Sequence, residues 1–182
     1  DAFNYLCEAH RVLKPGGQVV YATCSLEPEE NEAVVDDLLA RYPDQVTVEA
    51  LDHAGRNPEV VAEVTANQFP TGEWHLLAGV ADAARLLADR PVDVDALPEG
   101  TLFDGGPVLR VRGPYRSFCR LETALLGFLS HPTGVATSAL ETRLAAPDST
   151  VLSFGSRHVH PSLGAMIERS ALLGGLDGFS NV

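Results

Sequence analysis

The sequence predicts an α/β protein whose last third holds a strand-helix-strand step of the kind that builds an α/β barrel, and three observations carry that expectation. An apolar run at 150–154 is followed by a helix-forming stretch at 162–173 and by a second strand-like stretch at 177–181, which is one strand-helix-strand step. A second apolar run at 18–22 lies between two stretches with helical periodicity. At 107–112, Val108, Arg110 and Arg112 alternate with Leu109 and Val111, the pattern of a sheet with one wet face.

Taken in order, residues 1–13 place Phe3, Leu6, Cys7, His10 and Leu13 on one helical face. Pro15-Gly16-Gly17 turns the chain into a strand over 18–23. Thr23-Cys24-Ser25 stands at the end of that strand. Pro28 and the acidic run after it suit the start of a helix over 28–41, where the helix dipole favours negative charge. A short strand is expected at 46–50. Next come a strand or short helix over 60–65, a strand over 74–78 and a helix over 80–88. Residues 92–97 read as irregular. Strands at 102–103 and 107–112 flank the Asp104-Gly105-Gly106 turn, and Gly113-Pro114 reads as a sheet breaker. A helix over 115–129 is expected to bury Phe118, Leu121, Leu125, Phe128 and Leu129, with a separate helix over 133–144. His131 and Thr137 would flank the junction as structural residues, and Glu122 would need an ion-pair partner in so apolar a helix. Gly174-Gly175 stops the last helix.

Composition narrows the function. The 182 residues carry a formal charge of −12, from 25 acidic and 13 basic side chains, with Lys14 the only lysine. An acidic surface argues against a general nucleic-acid-binding face. The three cysteines, Cys7, Cys24 and Cys119, have no metal-ligand spacing, and a reducing cytoplasmic setting suits them. The chain shows no signal peptide and no run of eighteen apolar residues, so neither secretion nor a membrane span is expected.

The richest chemistry lies in Phe154-Gly155-Ser156-Arg157-His158-Val159-His160-Pro161 and in the stretch from Asp177 to Asn181. In α/β architectures, groups just past the carboxyl end of a strand face the ligand crevice. The guanidinium of Arg157 suits a carboxylate or phosphate, because its planar fork makes two parallel contacts; a surface salt bridge is the alternative. Phe154 offers a flat aromatic face, or a core side chain. His158 follows Arg157. His160 would orient a ligand or cap the helix beyond it. Asp177 would hold a ring or ribose, or serve as a turn carboxylate. Ser180 and Asn181 would donate to phosphate.

Several blocks in order resemble the nicotinate phosphoribosyltransferases of the archaeal-type branch: His53-Ala-Gly-Arg-Asn-Pro-Glu59, Gln68-Phe-Pro-Thr-Gly-Glu73, the stretch from Pro98 to Pro107, that from Glu122 to Thr137, and the two stretches above. The resemblance covers about 53–182. It implies a small, hammerhead-like α/β domain over 53–114, then linking helices and the start of a truncated α/β barrel over 115–182. The implied reaction joins nicotinate to phosphoribosyl diphosphate, with Mg2+ and ATP as cofactors and a homo-oligomer as the parent enzyme. It also implies that Phe154, Arg157, His158, His160, Asp177, Ser180 and Asn181 bind substrate. The front half of such an enzyme is expected to be inactive alone.

Residues 1–45 are similar to the C-terminal part of the RNA cytosine-5 methyltransferases, in which a cysteine within Thr-Cys-Ser attacks the pyrimidine ring; Cys24 matches it. That resemblance implies a Rossmann-like methyltransferase fragment over 1–52, with S-adenosylmethionine as cofactor and RNA as partner. The family's glycine-rich loop and its Pro-Cys motif are not found, so cofactor binding is not expected. Quinolinate phosphoribosyltransferase is a further reading, though a second carboxylate would call for more basic residues than Arg157 and two histidines. A chimeric or truncated reading frame without a role of its own is the non-enzymatic one.

Overall fold

A computed structural model describes residues 2–17, 19, 21, 32–43, 45, 57–66 and 74–180. The chain divides into two compact units, Asp1–Arg56 and Asn57–Val182.

In the first unit, helix α1 (Ala2–Val12) and helix α2 (Glu32–Arg41) bury Leu6, Cys7, Val34 and Leu38 against one another. The apolar face read at Leu6 and Cys7 is therefore the packed one. Tyr42 stacks on His10 with ring centroids 4.1 Å apart, and the Arg41 guanidinium lies over Phe3 and Tyr42. Gly16 adopts φ 78°, the left-handed conformation that the Pro-Gly-Gly turn requires. Cys24, the strand expected at 46–50 and all of that expected at 18–23 except Val19 and Tyr21 fall outside the described residues.

The second unit is built on an antiparallel sheet in the order β1-β5-β3, from β1 (Glu59–Thr65), β5 (Pro107–Pro114) and β3 (Asp93–Ala96). Helix α3 (Val80–Leu87) and the short pair β2 (His75–Leu76) and β4 (Leu102–Phe103) complete the small domain. Leu77, Ala83, Leu87, Phe103, Leu109, Val111, Phe118, Leu125 and Leu129 form its core. A long helix, α4 (Glu122–Ala145), leads to β6 (Leu152–Ser153), α5 (Gly164–Leu173) and β7 (Gly178–Phe179), with β6 and β7 parallel. This is the expected strand-helix-strand step. The architecture is mixed α/β, with no closed barrel among the described residues.

Four expectations need correction. Residues 93–96 are a strand, because their backbone pairs with Leu109–Arg112 of β5, and a ladder to a strand distant in sequence outweighs a weak local propensity. Gly113-Pro114 does not break the sheet: Gly113 pairs with Val60 and Pro114 closes the strand opposite Glu59. Val108 is buried rather than wet, since the ladder shifts register between Val64 and Thr65, and this bulge turns Val108 into the core. The helices expected at 115–129 and 133–144 are two 3-10 turns, Tyr115–Ser117 and Cys119–Leu121, followed by one helix that runs straight through Pro132.

Details of α4 depart in the same way. Phe128 is exposed, and so is Glu122 in the first turn, where no ion pair is found for it among the described residues. Thr137 is structural, as expected, but mid-helix. Its hydroxyl accepts the Leu76 N–H at 3.0 Å, and that of Thr133 accepts the Ala78 N–H at 3.1 Å. The backbone of 76–78 thus finds its acceptors on a helix face.

Candidate site at the carboxyl ends of two parallel strands

Strand β6 ends at Ser153, and the chain turns at once through Phe154 into a 3-10 turn, Gly155–His158. The turn lies flat on α5 because Gly155 has no side chain: a Cβ there would sit 2.6 Å from Ile167 Cγ2. Phe154 is 47% exposed, and the Arg157 guanidinium carbon stands 4.8 Å from its ring centroid. This is cation–π distance. Two of the residues singled out from sequence therefore form one exposed platform, a flat ring with a guanidinium across it. Next to it, Ser153, Gly155, His158 and Val159 line one side of an open groove of about 780 Å³, with His131 and Ser138 of α4 on another.

His160 faces its own chain. Its Nδ1 caps the turn Pro161–Leu163 by accepting the Ser162 N–H at 3.2 Å, and lies 2.8 Å from the Ser162 hydroxyl. Asp177 accepts the Val151 N–H at 2.7 Å and forms an ion pair with Arg143. The Val151 N–H first, and then Arg143, hold its carboxyl below the usual carboxylate range. The carboxylate is thus engaged in joining the start of β6 to the segment before β7. Ser180 is exposed at the end of β7 and donates its N–H to the Ser153 carbonyl at 2.9 Å, so the two strand ends are tied together. Asn181 and Cys24 lie outside the described residues.

Two residues of this region were not singled out from sequence. Arg143, in the last turn of α4, donates to the carbonyls of Gly175 at 2.9 Å and Ser149 at 2.8 Å and pairs with Asp177. Glu168 is buried on α5 with 5% of its surface exposed, and its Oε1 accepts the Ser156 N–H at 3.2 Å. Burial works to raise its carboxyl, but the hydroxyls of Ser153 and Ser156 and the Ser156 N–H outweigh it and lower the value. A signal for Glu168 did exist. Gly164, Ile167, Glu168 and Ala171 recur at helical spacing and are all buried, so the glutamate stands on the inward face.

Residues 45–133 match the profile of the quinolinate phosphoribosyl transferase N-terminal domain, and residues 4–74 match that of the 16S rRNA methyltransferase RsmB/F. A nicotinate phosphoribosyltransferase of Mycobacterium tuberculosis is 30% identical over 185 residues, across 86% of this chain and 41% of its own length. Much of this chain is homologous to nicotinate phosphoribosyltransferases. The crystal structure of a nicotinate-nucleotide pyrophosphorylase from Pyrococcus furiosus superposes with a TM-score of 0.70 at 39% identity, covering 90% of this chain and 42% of that one. At the N-terminal end, ribosomal RNA small subunit methyltransferase F of Erwinia tasmaniensis is 45% identical over 64 residues, which is 34% of this chain and 13% of that protein. The chain thus spans less than half the length of these relatives.

Proposed function

We propose that Asn57–Val182 is the front part of an enzyme that transfers a phosphoribosyl group from phosphoribosyl diphosphate to nicotinate, forming nicotinate mononucleotide and diphosphate. The observation that carries this reading is the Phe154–Arg157 platform at the carboxyl end of β6. A pyridine carboxylate has a flat ring and one anionic fork, and the platform offers a ring face and one planar cation. In this reading Arg157 holds the carboxylate, Phe154 the ring, and His158 the groove wall. Ser180, exposed at the end of β7, would offer a donor to phosphate, while His160 and Asp177 serve the site by holding its turns. Bond formation from the pyridine nitrogen to the anomeric carbon, as the bond to diphosphate breaks, then depends on alignment more than on acid–base chemistry. Among the described residues, no group of three or more His, Cys, Asp or Glu comes together. These residues therefore do not assemble a magnesium set, and no step is assigned to magnesium or ATP.

The test is a titration of the chain with nicotinate, followed by ¹H–¹⁵N NMR. Amide shifts at 154–158 are expected with nicotinate and not with nicotinamide, which lacks the anion. Arg157→Gln should weaken nicotinate binding by about 1.5–3 kcal/mol, the worth of a charged hydrogen bond. A stronger response to quinolinate would move the reading to the quinolinate enzyme, whose N-terminal domain profile also matches. A second reading applies to the first unit, on the methyltransferase match and the Thr23-Cys24-Ser25 motif: an RNA-modifying fragment with Cys24 as nucleophile. Calorimetric binding of S-adenosylmethionine would support it, and none is expected.

A further inference from the structure

We propose that Glu168 is a positioning residue, whose buried carboxylate sets the turn that carries Phe154 and Arg157; this rests on the reading that the turn takes nicotinate. Phe154 and Arg157 are both exposed, so the platform cannot fix its own place. What holds it lies underneath. The Gly155 N–H donates to the Ser153 hydroxyl at 3.3 Å, and the Ser156 N–H donates to Glu168 Oε1 at 3.2 Å. The Ser153 carbonyl accepts from Ser180, so the same serine also anchors the end of β7. Glu168 is therefore the contact through which α5 holds the backbone just before Arg157.

Packing alone does not account for this residue. The inward face of α5 is otherwise Gly164, Ile167, Ser170 and Ala171, and an apolar side chain would fill it without burying a charge. Glu168 Oε2 meets no hydrogen-bond donor among the described residues. A buried carboxylate is a costly way to fill space, but with the Ser153 and Ser156 hydroxyls around it, it is a direct way to hold the Ser156 N–H. Gly155 agrees, since any larger residue there would push the turn away from Ile167 and out of reach of the carboxylate.

The experiment measures amide exchange and nicotinate binding on the same NMR samples of the chain, with Glu168→Ala and Glu168→Gln. In Glu168→Ala, the Ser156 amide should exchange at least about tenfold faster and the nicotinate Kd should rise at least about tenfold, as a displaced contact group predicts. The Leu76 and Ala78 amides, bound to α4 far along the chain, report that the fold is intact and should not change. Glu168→Gln keeps an acceptor oxygen and should restore both readouts to within about threefold of the parent chain. Unchanged Ser156 exchange in a folded Glu168→Ala overturns the proposal, as does affinity that stays at the parent level. If Glu168→Ala fails to fold, Glu168→Gln decides: restored readouts support the role, and lost ones overturn it. If the parent chain shows no nicotinate response, the functional reading fails, and Ser156 exchange alone decides whether Glu168 positions the turn.

Discussion

Gly79 has two reasons to be glycine. Its φ is 85°, and a Cβ there would lie 1.7 Å from the Phe128 carbonyl oxygen and 3.2 Å from the Pro132 ring. Pro132 has no N–H, so the Phe128 carbonyl four residues earlier lacks its helical partner, and the backbone at Gly79 packs against that spot. Gly79→Ala should lower the unfolding free energy by more than about 2 kcal/mol, since strain and clash add; urea denaturation followed by circular dichroism measures it. At this scale the sequence was informative where chemistry is concentrated. Phe154 and Arg157 follow an apolar run, and the structure brings them together, a contact that their separate readings did not include. Glu168 and Arg143 were harder to single out because their partners are backbone groups, Ser156 N–H and the carbonyls of Gly175 and Ser149, and no residue letter announces a backbone partner.

Helix α4 works as a rail for its neighbours. Thr137 and Thr133 take the backbone N–H groups of Leu76 and Ala78, which have no strand partner on that side. Thr137→Val should expose the Leu76 amide to exchange and Thr133→Val the Ala78 amide, each at about 1–3 kcal/mol for a buried donor left unmade. Hydrogen exchange resolves the two. A second tie runs from the loop before β4 to α5. Glu99 accepts the Gly79 N–H at 2.7 Å and pairs with Arg169 at 2.5 Å. The bond from Arg169 is the main reason its carboxyl is lowered. A depressed native value stabilises the fold above the unfolded value, and that stabilisation is lost as pH falls through the native one. The difference in denaturation midpoint between the parent chain and Glu99→Gln should be largest near about pH 7 and shrink as pH falls below the ordinary glutamate value of about 4.3 towards the lowered native one. Elements whose limits come from local pattern, such as α1, α3 and α5, were legible in the sequence. Strand β3, the Val108 bulge and the passage of α4 through Pro132 were not, because each is decided by a partner distant in sequence.

For the molecule as a whole, charge is the dominant long-range term. With −12 spread over 182 residues, self-repulsion opposes the compact state. Thermal stability should rise with KCl from about 0.01 to about 0.5 M, as screening shortens the Debye length, and calorimetry at several salt concentrations checks the trend. The change in character along the chain was legible, because two unrelated sets of motifs follow one another. What lies in the join was not, since 46–56 and 67–73 lie outside the described residues.

The grip of Arg143 has a consequence for connectivity. One guanidinium collects the Ala146, Ser149 and Gly175 carbonyls and the Asp177 carboxylate, and so closes the exposed segment 147–150 from both sides. The covalent link across that segment is then largely redundant. Reopening the chain between Pro147 and Asp148 would free neither end, which makes this loop a natural place for new termini in a circularly permuted protein.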